Sequence, residues 1–393
     1  MITSPVEIEN GPPHDEEALF REARRLRRRR WTIGLLITAI VLGGTAAIVA
    51  VVTSVGGANT TAMSAGTAGV LPNGPVAMLH VAGPLAVAPD GALYVTDVIG
   101  SGFEPGGDRV LVRLPDGRFR AIAGDSKVGF PGDGGPAVRA ELSSVSDLVF
   151  APDGTLYIAD GGRVRTTSRD GVIRTIVGNG EPLRTIANGT PALSAALGSG
   201  NPNPLQIALS PARQLYVATG RSQILRMTAA GKLDTVRAVV TSGPWKGPVG
   251  GWYPIAVDAH GNIDVGGGPS GWSIWQVAPN GVAHYVGYGR GSGGSDPILQ
   301  PGPEGAIYAA ASGLIRIEPH KLVPISSFNM PLSTVNERPG RYFPLTYFAF
   351  SPNGTLYADD IPGNIGDELH QQLVSVHNSR ISRLWQEKNA TPK

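Results

Sequence analysis

Between residues 85 and 385, apolar residues fall on alternate positions in short runs, and the runs are joined by Pro-Asp-Gly, Pro-Asn-Gly or similar turns. A period of two puts apolar side chains on one face of a strand, and Asp-Gly or Asn-Gly between two such runs closes a hairpin. One unit recurs six times: LAVAPDGALYVTD (85–97), LVFAPDGTLYIAD (148–160), IALSPARQLYVAT (207–219), IAVDAHGNIDVGG (255–267), LQPGPEGAIYAA (299–310) and FAFSPNGTLYADD (348–360). Its second strand carries an anchor at Tyr94, Tyr157, Tyr216, Asp264, Tyr308 and Tyr357, at intervals of 63, 59, 48, 44 and 49 residues. The fourth copy is the weakest, with Asp264 where the others have tyrosine.

A second hairpin follows each copy, for example VLVRLPDGRFRAIAG after the first and VSVHNSRISRLW after the last. Four strands per unit at these intervals predict propeller blades, and the period of two excludes a helical solenoid. The expected architecture is all-β: a six-bladed β-propeller with four-stranded antiparallel blades over residues 76–393. The segment VAMLHVAG (76–83) reads as an outer strand, although ISRLW (381–385) already completes the last blade. Either the ring closes by exchanging a strand between its termini, or this segment adds an edge and so blunts an aggregation-prone surface.

The first 75 residues break the pattern. Residues 1–18 mix Pro, Gly and acids without periodicity and read as disordered; Arg21, Arg24, Arg25 and Arg27 to Arg30 follow, so that 1–30 is expected to be a disordered cytoplasmic tail with a basic juxtamembrane cluster. From Trp31 to Val55 there is no charge. At ~1.5 Å rise per residue, 21 of these residues span ~31 Å, the thickness of a hydrocarbon core. The apolar and charged stretches are both longer than those of a cleaved signal peptide, so 31–55 is expected to be a single transmembrane α-helix. The arginines place the N-terminus in the cytoplasm and the rest outside, at the cell membrane, and 56–75 reads as a flexible linker.

Composition narrows the field further. The first 53 residues carry seven Arg against six acids, leaving 26 basic and 25 acidic residues for the rest, and a near-neutral domain lacks the footprint of a nucleic-acid binder. The chain has no cysteine, which removes disulfides, thiolate metal sites and cysteine nucleophiles, while 54 Gly and 33 Pro suit many turns. Arg outnumbers Lys 27 to 6, a bias that fits a GC-rich bacterial genome.

The pattern apolar-x-apolar-x-P-D-G-x-L-Y-V-x-D, then an Arg-Val or Arg-Ile strand and G-x-I-x-T-I-x-G, resembles the NHL repeat. GFPGDGGPAVRAEL (129–142) is similar to the inter-blade linker of bacterial members, and GTPALSAAL (189–197) to a decayed copy of it. The resemblance covers residues 85 to about 385 and implies a propeller closed around a channel. It extends to the propeller ectodomains of bacterial receptor kinases, although the N-terminal 30 residues carry no kinase signature.

Candidate chemistry is sparse. Asp97, Asp160 and Asp359 end second strands, where carboxylates either cap the following turn or, with oxygen partners, hold Ca²⁺ or another divalent metal in the channel; Asp133 in GDGG reads as a turn residue. The seven His are scattered, without metal-ligand spacing, and no nucleophile elbow or phosphate loop is present. No catalytic residue, metal ligand or cofactor is expected. Long inter-blade connections on one rim carry Phe130, Trp245, Trp252, Tyr253, Arg341, Tyr342 and Phe343, and Trp272 follows the Gly-rich connection of blade four. Aromatic and Arg side chains on loops dominate binding hot spots, so Trp245, Trp252, Tyr253, Trp272, Arg341, Tyr342 and Phe343 are the expected ligand-binding residues. The expected function is extracytoplasmic recognition of a protein, peptide or glycan; the alternative is a metal-dependent hydrolase or lyase, lactonase-like, with a site in the channel.

Overall fold

A computed structural model describes residues 74–80, 82–99, 106–198, 205–219, 223–240, 255–267, 272–289, 298–310, 314–319, 321–325, 347–360, 372–377 and 380–386. The chain divides into two compact units at residue 66. The first, with the tail and the expected membrane helix over 31–55, lies outside the described residues. Among the described residues no helix is long and apolar enough to cross a membrane.

The second unit is a six-bladed β-propeller, each blade one sheet. Its innermost strands are Ala82–Val87, Val145–Phe150, Gln206–Leu209, Ile255–Val257, Ile298–Pro301 and Tyr347–Phe350. Each packs beside the next, and Tyr347–Phe350 packs beside Ala82–Val87, so the ring closes. Within a blade the strands run up and down in chain order from the channel outwards. The short hairpin turns therefore share one face of the ring, while the loops joining second to third strands share the other with the linkers between blades.

The apolar face of every strand has a destination. Six buried clusters fill the gaps between neighbouring blades; one joins Tyr94, Val110 and Leu156 across blades one and two. The anchor tyrosine faces the following blade: Tyr94 meets Phe150, and Tyr308 meets Phe350, with ring centroids 4.7 Å apart in both pairs. Such aromatic pairs contribute ~0.5–1.5 kcal/mol beyond their area.

Three blades depart from the four-stranded expectation by gaining a fifth, two-residue strand. Val76–Ala77 lies antiparallel to Phe119–Ala123 in its own first blade, Thr190–Pro191 joins the third blade, and Val239–Val240 joins the fourth in parallel. Of the two ways to close the ring, the structure takes the second: the N-terminal segment covers an edge of blade one, and the sixth blade is complete in Tyr347–Phe350, Leu356–Asp360, Gln372–His377 and Arg380–Gln386. Closure rests on packing, with Leu85, Val95 and Phe119 of the first blade against Ala349 and Leu373 of the sixth.

The linker resemblance within the chain is structural as well. The peptide N–H groups of Gly124 and Asp125 donate to the carbonyls of Ala137 and Ala140, and those of Gly178 and Asn179 donate to Ala192 and Ala195 in the same arrangement. Each linker forms one 3₁₀ turn, Ala137–Arg139 and Ala192–Ser194, with a buried alanine at its start. The second linker passes so close to blade two that a Cβ on Gly162, at φ +83°, would sit 1.4 Å from the Gly198 carbonyl oxygen. The turn role expected of Asp133 is corrected: its carboxylate ties the linker to blade two, accepting the Thr175 N–H at 2.9 Å and Arg165 Nη2 at 2.8 Å. Replacing Asp133 with Ala is expected to cost ~1–2 kcal/mol, read as a lower urea midpoint at unchanged slope.

Candidate functional site

On the loop face, buried carboxylates surround the mouth of the channel. Asp97 and Asp160 close the second strands of blades one and two and are fully buried. Each holds the segment that enters its own blade: Asp97 Oδ1 accepts the His80 N–H at 2.6 Å, and Asp160 Oδ1 accepts the N–H groups of Ser143 at 2.8 Å and Ser144 at 3.1 Å. The expectation that they cap the turn that follows is corrected, because the orphan donors lie in the incoming linker. Asp97 is also paired with the guanidinium of Arg109, and Asp160 lies 3.5 Å from Arg165 Nη1.

Two further aspartates link one blade to the next. Asp108, at the start of the third strand of blade one, accepts the Val145 N–H of blade two at 2.7 Å. Asp147, on the innermost strand of blade two, accepts the Ile207 N–H of blade three at 2.9 Å through Oδ2 and the Leu148 N–H at 2.9 Å through Oδ1. Burial pushes the Asp147 carboxyl up to about 7 against the pull of these two peptide donors. Asp108 is likewise pushed up to about 7, by burial first and then by the charges of Asp160 and Asp97, while the Val145 and Ile99 N–H groups oppose the rise. Half-buried Tyr347, at the same end of the sixth blade's inner strand, is raised by burial and by the negative fields of Asp359, Asp147 and Asp108. Of the two carboxyls it is Asp108 that feels its acidic neighbours Asp160 and Asp97, while Asp147 is raised by burial alone. No periodicity marks Asp108 or Asp147 in the sequence; Asp147 follows a register irregularity between Val145 and Asp147.

Of the residues expected to bind ligand, Trp245, Trp252, Tyr253, Arg341, Tyr342 and Phe343 lie outside the described residues. Trp272 opens the third strand of blade four opposite Gly289; its side chain also lies outside them. Phe130 is drawn into packing, with the guanidinium carbon of Arg163 3.6 Å from its ring centroid. Among the described residues no three His, Asp or Glu side chains come together as a metal site.

Two cavities open on the hairpin face, between blades. One of about 340 Å³ separates blades one and two and is lined by Tyr94, Phe150, Ile122, Asp90 and Arg169. Another of about 390 Å³ separates blades three and four, lined by Tyr216, Arg226, Asp234 and Arg237.

No family model matches the chain. Teneurin-m of Drosophila melanogaster is 31% identical over 102 residues, which is 24% of this chain and only 4% of that protein. Among solved structures, one described as a gluconolactonase covers 74% of this chain and 87% of its own, with 14% identity and a TM-score of 0.44. An oxidoreductase of the glucose dehydrogenase type from Thermus thermophilus covers 76% of this chain and 98% of its own, with 20% identity and a TM-score of 0.40. At such scores the likeness carries no argument about chemistry.

Proposed function

We propose that this chain is an NHL-like recognition propeller, held at a bacterial cell membrane by residues 31–55, which binds a protein, peptide or glycan on its loop-side rim. The observation that supports this reading best is the employment of the acids at the channel mouth. Asp97, Asp108, Asp147 and Asp160 all spend carboxylate oxygens on peptide N–H groups of the ring. Carboxylates committed in this way are scaffold, which leaves ligand contact to the segments where the sequence puts Trp245, Trp252, Tyr253 and the Arg341–Phe343 triplet, and to Trp272 at the start of its strand. Propellers place recognition on such loops because the rigid ring holds them at fixed spacing.

The test uses the full-length chain as bait against a glycan array and a cell-envelope extract. The Trp252→Ala/Tyr253→Ala double variant is expected to lose about tenfold or more of the retained partner, since buried aromatic anchors cost upwards of ~1–2 kcal/mol each. Equal retention by the variant would remove the loop rim from the reading.

One observation favours a hydrolase or lyase instead: two carboxylates titrating near neutrality at a channel mouth have the poise of a general base. Lactone or lyase turnover that disappears in Asp147→Asn while the folded fraction is unchanged would move the function to the channel.

A further inference from the structure

Blade four breaks the repeat where its neighbours are most alike. On the second strand the other five blades carry tyrosine; here stands Asp264, in a row with Ala256, Gln276 and His284 on adjacent strands. Ala256 and Ile274 on this face pack with Leu299 and Ile307 of blade five, so the row looks into an apolar inter-blade gap. Asp264 is completely buried. Its Oδ1 is 3.2 Å from Gln276 Nε2, while its Oδ2 is buried without a hydrogen-bond partner. The same Gln276 nitrogen is 3.4 Å from Oδ2 of Asp258, a second carboxylate that is 9% exposed, and Asn262 Nδ2 is 2.7 Å from that same oxygen.

Two buried carboxylates thus share one side-chain amide. Among the described residues neither has an Arg or Lys partner; Asp258 Oδ1 accepts the peptide N–H groups of His260 and Asn262, both at 2.8 Å, the exposed His260 ring lies 3.9 Å from its Oδ2, and Asp264 has no such peptide donors. A buried carboxylate without compensation is costly, and either a proton or a cation removes the cost. A proton on Oδ2 of Asp264 becomes a donor facing no acceptor; on Oδ1 it is accepted only if the Gln276 amide turns its carbonyl oxygen towards it, and it does nothing for the second carboxylate, Asp258. A cation can take an Asp264 oxygen as it stands, and half-turns of the Gln276 and Asn262 amides bring their carbonyl oxygens to where their nitrogens now face the two carboxylates.

We propose that Asp258, Asp264, Asn262 and Gln276 form a calcium site on the hairpin side of the gap between blades four and five. The donors are all oxygen, carboxylate and amide together, which selects a hard cation over zinc; Ca²⁺ tolerates the irregular geometry and completes its six to eight ligands with backbone carbonyls or water. Bound calcium would neutralise the pair and tie together the first three strands of the weakest repeat. Without it, burial and the adjacent Asp258 raise the Asp264 carboxyl well above the usual range.

The experiment is thermal unfolding of the full-length chain after EDTA treatment and then with added Ca²⁺, with Tb³⁺ luminescence as a second readout, excited through Trp275 beside Gln276. A hundredfold excess over Kd should raise the unfolding midpoint by roughly 3–6 °C, and Tb³⁺ should light up and be displaced by Ca²⁺. Asp264→Asn should lose both responses. Should that variant fold poorly, Asp264→Tyr, which restores the residue of the other blades, should fold and be equally blind to calcium. The proposal is overturned if neither ion has an effect on the wild-type chain, or if both responses survive in the Asp264 variants.

Discussion

Replacing Arg165 with Leu should cost ~3–5 kcal/mol, a fall of roughly 5–8 °C in unfolding midpoint, the penalty typical of removing one partner of a buried charge pair. Arg165 is fully buried in blade two. Its Nη1 donates to the Glu141 carbonyl at 2.8 Å and lies 3.5 Å from Asp160, while Nη2 donates to Asp133 at 2.8 Å and reaches the Pro131 carbonyl at 3.4 Å. One guanidinium therefore binds the linker from blade one at three places and compensates Asp160. Without it Asp160 keeps its two peptide donors but loses its countercharge in a site where burial already raises its carboxyl.

The chain supplies its own control for this. At the corresponding position on the third strand of blade three stands Leu225, also fully buried, and the place of Asp160 is taken there by Thr219. Where that carboxylate is missing, the arginine is missing too. The double variant Arg165→Leu/Asp160→Thr is accordingly expected to lose less stability than the sum of its two single variants. Urea unfolding of all four proteins gives the coupling; strict additivity would show that the two groups do not depend on each other.

The contrast between these blades shows what a sequence discloses. The six hairpin pairs were legible because strand alternation and Asp-Gly turns are local signals, and so were the two linkers, GFPGDGGPAVRAEL and GTPALSAAL, which fold alike. The oddity of Asp264 was legible too, since a repeat exposes its own exceptions. The burial of Arg165 was not: in VRTT it looks like any outward position of a strand, and it becomes interior only because a linker 24 to 34 residues earlier folds over it. The outer strand read in VAMLHVAG is present, shortened to Val76–Ala77, whereas the added strands Thr190–Pro191 and Val239–Val240 are too short for a periodicity. Asp108 and Asp147 lacked a signal of any kind, because their partners are peptide groups of the next blade, 37 and 60 residues away.

Those two aspartates make the stability of the ring depend on pH in a direction opposite to ordinary acid denaturation. An unfolded Asp releases its proton near 3.9, whereas Asp108 and Asp147 hold theirs until about 7. Between these values the folded chain binds the extra proton, so stability falls as pH rises, by ~1.4 kcal/mol per pH unit and per group, and levels off above 7. From pH 5 to pH 8 each group removes ~2–3 kcal/mol. Asp160, and Asp264 where no cation is bound, are raised by burial as well and steepen the same slope. The unfolding midpoint should consequently be higher at pH 5 than at pH 8. Asp147→Asn tests the assignment without removing the side chain's bulk. Its single amide oxygen cannot serve both Leu148 and Ile207, so the variant should be less stable than wild type at pH 5. It carries no charge to bury, so its slope between pH 5 and 7 should be shallower by ~1.4 kcal/mol per unit, and the two curves should converge or cross towards pH 8. Asp108→Asn should flatten the slope by a similar step. Parallel curves for wild type and both variants would mean that neither carboxylate keeps its proton in the ring, and with it would go the case for a general base at the channel mouth.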